Sequence, residues 1–161
     1  MFAIQTFAMN LSAPFIPQFF KSQVDEMLPY VDILIGNETE ADAYAASHDF
    51  GTKDLQEIAK RLANSDKVNS SVPRTVVLTQ GPSSTVVARQ GGDVKVYPVQ
   101  ALPDDQIVDT NGAGDAFAGG FMGATVLGRP LDECVETGHK LGQMCVGQVG
   151  PKLRFPKEKV L

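Results

Sequence analysis

Residues 109–122 read Asp109-Thr110-Asn111-Gly112-Ala113-Gly114-Asp115-Ala116-Phe117-Ala118-Gly119-Gly120-Phe121-Met122. This stretch sets three small residues at the mouth of a helix and a carboxylate just behind them. Gly112, Ala113 and Gly114 let backbone N–H groups crowd together and point the same way. The helix they lead into adds partial positive charge at its N-terminus. An anion, above all a phosphate, can rest there without a lysine or arginine. Asp115 would stand beside that anion, able to accept a proton from an attacking hydroxyl. Cradle and base together are the minimal apparatus for moving a phosphoryl group. The plainer alternative is an acidic residue in a first helical turn, stabilising the dipole by up to about 1 kcal/mol.

Working outward, the helix runs from 114 to about 127, and Gly128-Arg129-Pro130 stops it. A second helix covers about 131–149, with an apolar stripe of Leu131, Val135, Leu141, Cys145 and Val149. Gly119, Gly120, Gly123, Gly138 and Gly142 would be costly in these helices unless backbones pack closely there. Upstream, residues 2–8, 30–36 and 74–79 read as buried strands. Residues 16–28, 37–48 and 53–63 read as helices. Residues 84–89 and 93–98 form a hairpin around Gly91-Gly92-Asp93. Residues 107–109 suggest a short strand, and 64–73 and 101–106 are loops.

Alternating strands and helices predict an α/β fold: a mostly parallel sheet with helices on its faces, in one partial domain over 1–161. Ligands of such sheets bind at the carboxyl ends of the strands. The polar signals gather there, at Asn10, Asn37–Glu40, Thr79–Gly81 and Asn111–Asp115.

The chain has 161 residues, 43% hydrophobic and 20% charged, as expected of a globular domain with one core. A net charge of −5 argues against a nucleic-acid surface. It does not argue against ATP, for which a local cradle matters more. Cys134 and Cys145 share the last helix, where eleven residues of helical rise hold them roughly 16 Å apart, too far for a disulfide. They read as core residues of a reducing compartment. No apolar run reaches membrane-spanning length and the start lacks a signal-peptide pattern, so a cytoplasmic protein is expected, with the nucleus as a second compartment.

Asn37 and Glu40 have capping-box spacing. Alternatively both face phosphates, with Glu40 reaching magnesium through water, since that ion keeps much of its hydration shell. His139 is either a packed helical residue or one wall of a flat adenine pocket. His48 ends a polar stretch and reads as solvated. Phe15 reads as core, or as the lining of an acceptor pocket, because it follows a turn at a strand end.

Together these residues resemble the ribokinase-like, or PfkB, family of carbohydrate and nucleoside kinases. Asp109–Met122 matches that family's C-terminal signature at every restricted position. Asn37-Glu38-Thr39-Glu40 matches its N-x-x-E motif, and Thr79-Gln80-Gly81 its nucleotide-binding turn. The segments 2–7, 9–16 and 29–41 are typical of the branch that phosphorylates adenosine; sugar kinases share the signature but not those stretches. The resemblance runs from about Phe2 to Phe155.

It implies magnesium-dependent transfer of the ATP γ-phosphoryl group to the 5′-hydroxyl of adenosine, giving AMP in purine salvage. It further implies Asp115 as general base, an anion hole of Gly112, Ala113 and Gly114, and magnesium and phosphate organised by Asn37 and Glu40. Thr79, Gly81, Asn111 and His139 fall at ATP-site positions, and Phe15 at an acceptor-pocket position. The loop at 100–106 departs from the family pattern and carries nothing over. Members usually act as monomers. They are longer by an N-terminal half that bears a lid and most adenosine contacts, so this chain is expected to be a truncated form with an open sheet edge. A non-catalytic ATP-binding module and a related sugar kinase are the alternatives.

Overall fold

The computed structural model describes residues 5–153 together with 156 and 160. By compactness the chain divides into two units, Met1–Pro98 and Val99–Leu161.

The first unit is built on a five-stranded sheet in sequential order: β1 (Ala8–Asn10), β2 (Ile33–Asn37), β3 (Thr75–Gln80), β4 (Ser84–Arg89) and β5 (Val94–Pro98). β1, β2 and β3 run parallel, and β3, β4 and β5 form an antiparallel meander. Between the parallel strands lie α1 (Phe15–Phe19), α2 (Lys21–Met27), α3 (Glu38–Ser47) and α4 (Leu55–Asn64). The core joins Leu34, Val76, Leu78 and Val86 of the sheet to Val24, Tyr44, Ile58 and Leu62 of the helices. Val76, Val77 and Leu78 are consecutive and fully buried, as an unbroken apolar run in a central strand requires.

Registers fix where the strands end. Asn10 pairs with Ile35, and Asn37 with Thr79. The polar residues at the carboxyl ends of the three parallel strands therefore lie along one edge of the sheet. Asn10 is consumed locally: its side chain accepts the Ser12 N–H at 3.0 Å and its carbonyl accepts the Ser12 hydroxyl at 3.2 Å. Ser12 can thereby hold a positive φ of 66° in the turn that leads to α1.

Several boundaries differ from the sequence expectations. Of the strand expected at 2–8, residues 2–4 lie outside the described ones. Residues 5–7 are not strand, although the Phe7 carbonyl accepts the Asp32 and Ile33 amides. The helix expected at 16–28 breaks at Phe20 (φ −120°, ψ 34°) into α1 and α2, and a 3-10 turn, Leu28–Tyr30, occupies the start of the second expected strand. Pro17 is tolerated because it falls in the first turn of α1, where amides lack helical partners.

His48 is not solvated. Its Nε2 lies 2.7 Å from Asp25 Oδ1, and its ring stacks on Tyr44 with centroids 3.8 Å apart. Periodicity could not show this, because the partner carboxylate lies 23 residues away. Phe15 is not core either: it is 51% exposed, because α1 is too short to bury both its sides.

Two buried cations staple the first unit. Arg74 is fully buried, and its guanidinium donates to the carbonyls of Leu28, Val31, Leu62, Ser65 and Asp66 and to the Ser65 hydroxyl. Lys67 donates to Asp32 Oδ1 at 2.6 Å, while Asp32 Oδ2 accepts the Phe7 amide at 2.9 Å.

The second unit contains α5 (Ala113–Val126) and α6 (Leu131–Val146). Their backbones touch, as the glycine content predicts. A Cβ on Gly120 would lie 2.7 Å from the Thr137 carbonyl oxygen, and one on Gly138 would lie 3.0 Å from the Phe117 carbonyl oxygen. Gly119 and Gly123 have no atom within 4 Å of such a Cβ, so packing does not account for them. Residues 107–109 are not a strand: the Val108 and Asp109 amides both donate to the Val146 carbonyl. That contact closes α6 at Val146, three residues earlier than expected, and Val149 is exposed. Cys134 and Cys145 are free and buried. Among the described residues no helix is long and apolar enough to cross a membrane.

Candidate active site

In the second unit, the mouth of α5 is shaped by one left-handed residue. Gly112 is the N-cap with φ 78° and ψ 0°. A Cβ there would lie 2.5 Å from Pro151 Cβ and 3.1 Å from Pro151 Cα, so both conformation and space demand glycine. The Gly112 carbonyl accepts the Ala116 amide at 2.9 Å and starts the helix. The Ala113 amide makes a longer turn bond of 3.3 Å to the Thr110 carbonyl. Gly114 is exposed, with no atom within 4 Å of the position a Cβ would take. Asp115 follows it, exposed, in the first turn of a 14-residue helix. First-turn amides have no helical acceptor, so the partial positive charge of α5 emerges at this point.

The loop before the mouth is latched by a carboxylate whose role the sequence reading missed. Asp109 Oδ1 accepts the Asn111 amide and Oδ2 accepts the Gly150 amide, both at 2.9 Å. These two amides hold its carboxyl below the usual carboxylate range. The spacing of Asp109 and Asn111 is that of an Asx turn, a signal present in the sequence. Asn111 itself is exposed, and its carbonyl accepts the Cys145 thiol at 3.5 Å. Gly142 of α6 comes within 3.4 Å of the Ala113 carbonyl, measured to an ideal Cβ, so α6 underlies the mouth. His139, one turn earlier on α6, is half-buried, with its ring centroid 5.6 Å from that of Phe117. Burial pushes its imidazole below the ordinary histidine value, against a smaller opposing effect of Glu136.

In the first unit, Asn37 and Glu40 form a complete capping box at the start of α3. Asn37 Oδ1 accepts the Glu40 amide, and Glu40 Oε2 accepts the Asn37 amide. The Asn37 carboxamide N–H donates to Glu40 Oε1, all three bonds being 2.9 Å. Glu40 is buried. Beside it on β3, the Thr79 hydroxyl donates to the Gly36 carbonyl at 3.3 Å. Gly81 turns the chain after β3 with φ 49°. Phe15 opens α1 beyond the end of β1. The first unit thus brings Asn37, Glu40 and Thr79 together, with Gly81 two residues beyond. The second unit brings together Asn111, Gly112, Ala113, Gly114 and Asp115.

Among the described residues no group of three or more His, Cys, Asp or Glu side chains is placed to hold a metal ion. Each Glu40 oxygen already accepts one hydrogen bond and retains a lone pair. This donor set fits a hydrated magnesium ion touched through its water, and does not form a cage of direct ligands.

A model of the pfkB family carbohydrate kinases matches residues 1–158. Adenosine kinase of Schizophyllum commune is 51% identical over 158 residues, which span 96% of this chain and 46% of that protein. Adenosine kinase of Schizosaccharomyces pombe is 48% identical over 153 residues, 95% of this chain and 45% of that protein. The crystal structure of Anopheles gambiae adenosine kinase in complex with P1,P4-di(adenosine-5) tetraphosphate superposes with a TM-score of 0.88 at 46% identity, covering 91% of this chain and 43% of that one. The chain therefore spans less than half the length of these relatives.

Proposed function

The chain belongs to the pfkB family of carbohydrate kinases, and from that premise we propose that it is the catalytic half of an adenosine kinase. The reaction is transfer of the γ-phosphoryl group of ATP to the 5′-hydroxyl of adenosine, giving AMP and ADP. The observation that carries this reading is the mouth of α5, where a left-handed Gly112 opens the helix and Asp115 stands exposed in its first turn. The ligand of the mosquito enzyme supports it, because that molecule joins two adenosines through a chain of phosphates.

In the proposed reaction, the amides of Gly112, Ala113 and Gly114 hold the phosphate oxygens on which charge grows. Asp115 accepts the proton of the attacking hydroxyl as the O–P bond forms. Asn37, Thr79, Gly81, Asn111 and His139 contribute to the ATP site, and Phe15 lines the acceptor pocket. Magnesium, when bound with ATP, neutralises phosphate charge, and Glu40 holds its water shell from the start of α3.

The test is Mg·ATP-dependent conversion of adenosine to AMP, with ribose and fructose as competing acceptors. Asp115→Asn should lower kcat by about 10²–10⁴-fold, the usual worth of a positioned base, while leaving ATP affinity nearly unchanged. A variant with near-native turnover removes Asp115 from the role of base. Faster phosphorylation of a sugar than of adenosine removes the nucleoside assignment. The coverage of under half of each relative favours one second reading, an ATP-binding piece without turnover of its own. Mg·ATP binding with no phosphorylated product from any of the three acceptors would identify it.

A further inference from the structure

β1 is the terminal strand of the sheet, with β2 on one side and no strand on the other among the described residues. Its residues are half-buried or exposed, unlike the enclosed β2 and β3. The chain around β1 and across to β2 carries Phe7, Phe15, Phe19, Phe20, Met27 and Tyr30, each 38–77% exposed. Phe15 and Phe19 are four residues apart on α1 and so share one helix face. Single exposed apolar residues need no explanation. Six of them along one crossover, on the order of 500 Å² of side-chain surface, equal the largest apolar patch of a typical monomer. An open strand edge beside such a patch is a template for another chain.

The relatives indicate the occupant. More than half of each lies beyond the matched region: the match spans 46% of the Schizophyllum commune protein and 43% of the mosquito one. β1 and β2 are parallel, and a parallel strand arrives with its own crossover helix, which packs on the sheet beside the neighbouring crossover. A β-α unit placed outside β1 would pair with its free edge and lay its helix against α1.

We propose that the free edge of β1 and the Phe15–Phe19 face of α1 seat the part of the family fold that the relatives carry beyond the matched region. The seat adds a parallel strand to β1 and covers the aromatic face. This inference rests on family membership and not on the identity of the phosphoryl acceptor.

The experiment uses Phe19→Cys, at a position exposed enough to leave the fold undisturbed. Cys134 and Cys145 are buried and serve as slow internal references. Labelling by N-ethylmaleimide is timed in the chain alone and in a single polypeptide that joins it to the unmatched part of the Schizophyllum commune protein, in that protein's own order. The joined protein should label at least tenfold more slowly at residue 19. In a second format the unmatched part is co-expressed as a separate, tagged chain. Phe19→Asp should then cut co-purification at least tenfold, and Val126→Asp, at an exposed site on α5, should not.

Equal labelling rates in the chain alone and the joined protein overturn the proposal. So does a homodimer of the chain alone that Phe19→Asp dissolves, which would make a second copy the occupant. Labelling is independent of turnover: a joined protein that shields residue 19 yet leaves adenosine unphosphorylated overturns the function proposed above and leaves this inference standing.

Discussion

Replacing Gly112 by alanine tests the construction of the α5 mouth directly. The residue sits at φ 78°, where an L-residue costs about 1–2 kcal/mol. The added Cβ would lie 2.5 Å from Pro151 Cβ, closer than carbon atoms approach, and 3.1 Å from Pro151 Cα. Relief must therefore move proline backbone and not merely a flexible side-chain end, and overpacking of this kind costs about 1–3 kcal/mol. We expect Gly112→Ala to destabilise the chain by about 3 kcal/mol, summing these two costs. With an m-value of about 2 kcal/mol/M, the urea midpoint followed by far-UV circular dichroism should fall by roughly 1.5 M. Gly114→Ala is the matched control. Its Cβ meets no atom within 4 Å and its φ is not positive, so the midpoint should hold or rise slightly. In the phosphoryl-transfer assay the order reverses for Gly114→Ala, whose methyl enters the space assigned to phosphate oxygens and should lower turnover by about tenfold or more. A Gly112→Ala midpoint within about 0.3 M of the unsubstituted chain would refute the packing argument.

Arg74→Met should destabilise by at least about 4 kcal/mol, because it strands buried acceptors that no water reaches. Arg74→Lys should rescue little of that loss, since an ammonium cannot reach acceptors arranged for a planar fork; urea denaturation of both variants reads the difference. Burial raises the carboxyl pKa of Asp32, but the Lys67 ammonium and the Phe7 amide outweigh it and leave the group below its ordinary value. Its stabilising contribution is thus complete above the unfolded-state value near 4 and fades as pH falls through the folded one. Asp32→Asn should flatten the urea midpoint between pH 5 and 2 relative to the unsubstituted chain. His139 should titrate below 6.5 in the folded chain when its ring proton is followed by NMR. Because the unfolded state then takes up the proton first, stability should begin to fall as pH drops through 6.5.

Local patterns made the site legible. Gly112, Ala113, Gly114 and Asp115 are contiguous, so a turn signal followed by an apolar helical period sufficed to place them at a helix mouth. The capping box at Asn37 and Glu40 was legible for the same reason. The central strands followed from their unbroken apolar runs. What escaped was whatever depended on partners distant in sequence. Arg74 stands at the start of an apolar strand, and nothing near it announces acceptors 46 residues upstream at Leu28. The latch at Asp109 needs Gly150, 41 residues on. His48 needs Asp25. The break at Phe20 escaped because the apolar spacing from Ile16 to Leu28 runs on across it, while the backbone does not. Exposed Phe15 escaped because hydrophobicity alone does not say which apolar residues a short helix can cover.

The Asp109 carboxylate accepts amides from both flanks of the helical pair, one just ahead of α5 and one just beyond α6. Pro151 packs where a Gly112 side chain would otherwise stand. Residues that look like a dispensable tail are therefore wall and clasp of the proposed reaction centre. Trimming the chain after Val146, or fusing a bulky tag there, would slacken the glycine turn at Asp115 while both helices remained intact. Secondary-structure measurements would pass such a product as sound when its chemistry had already been lost.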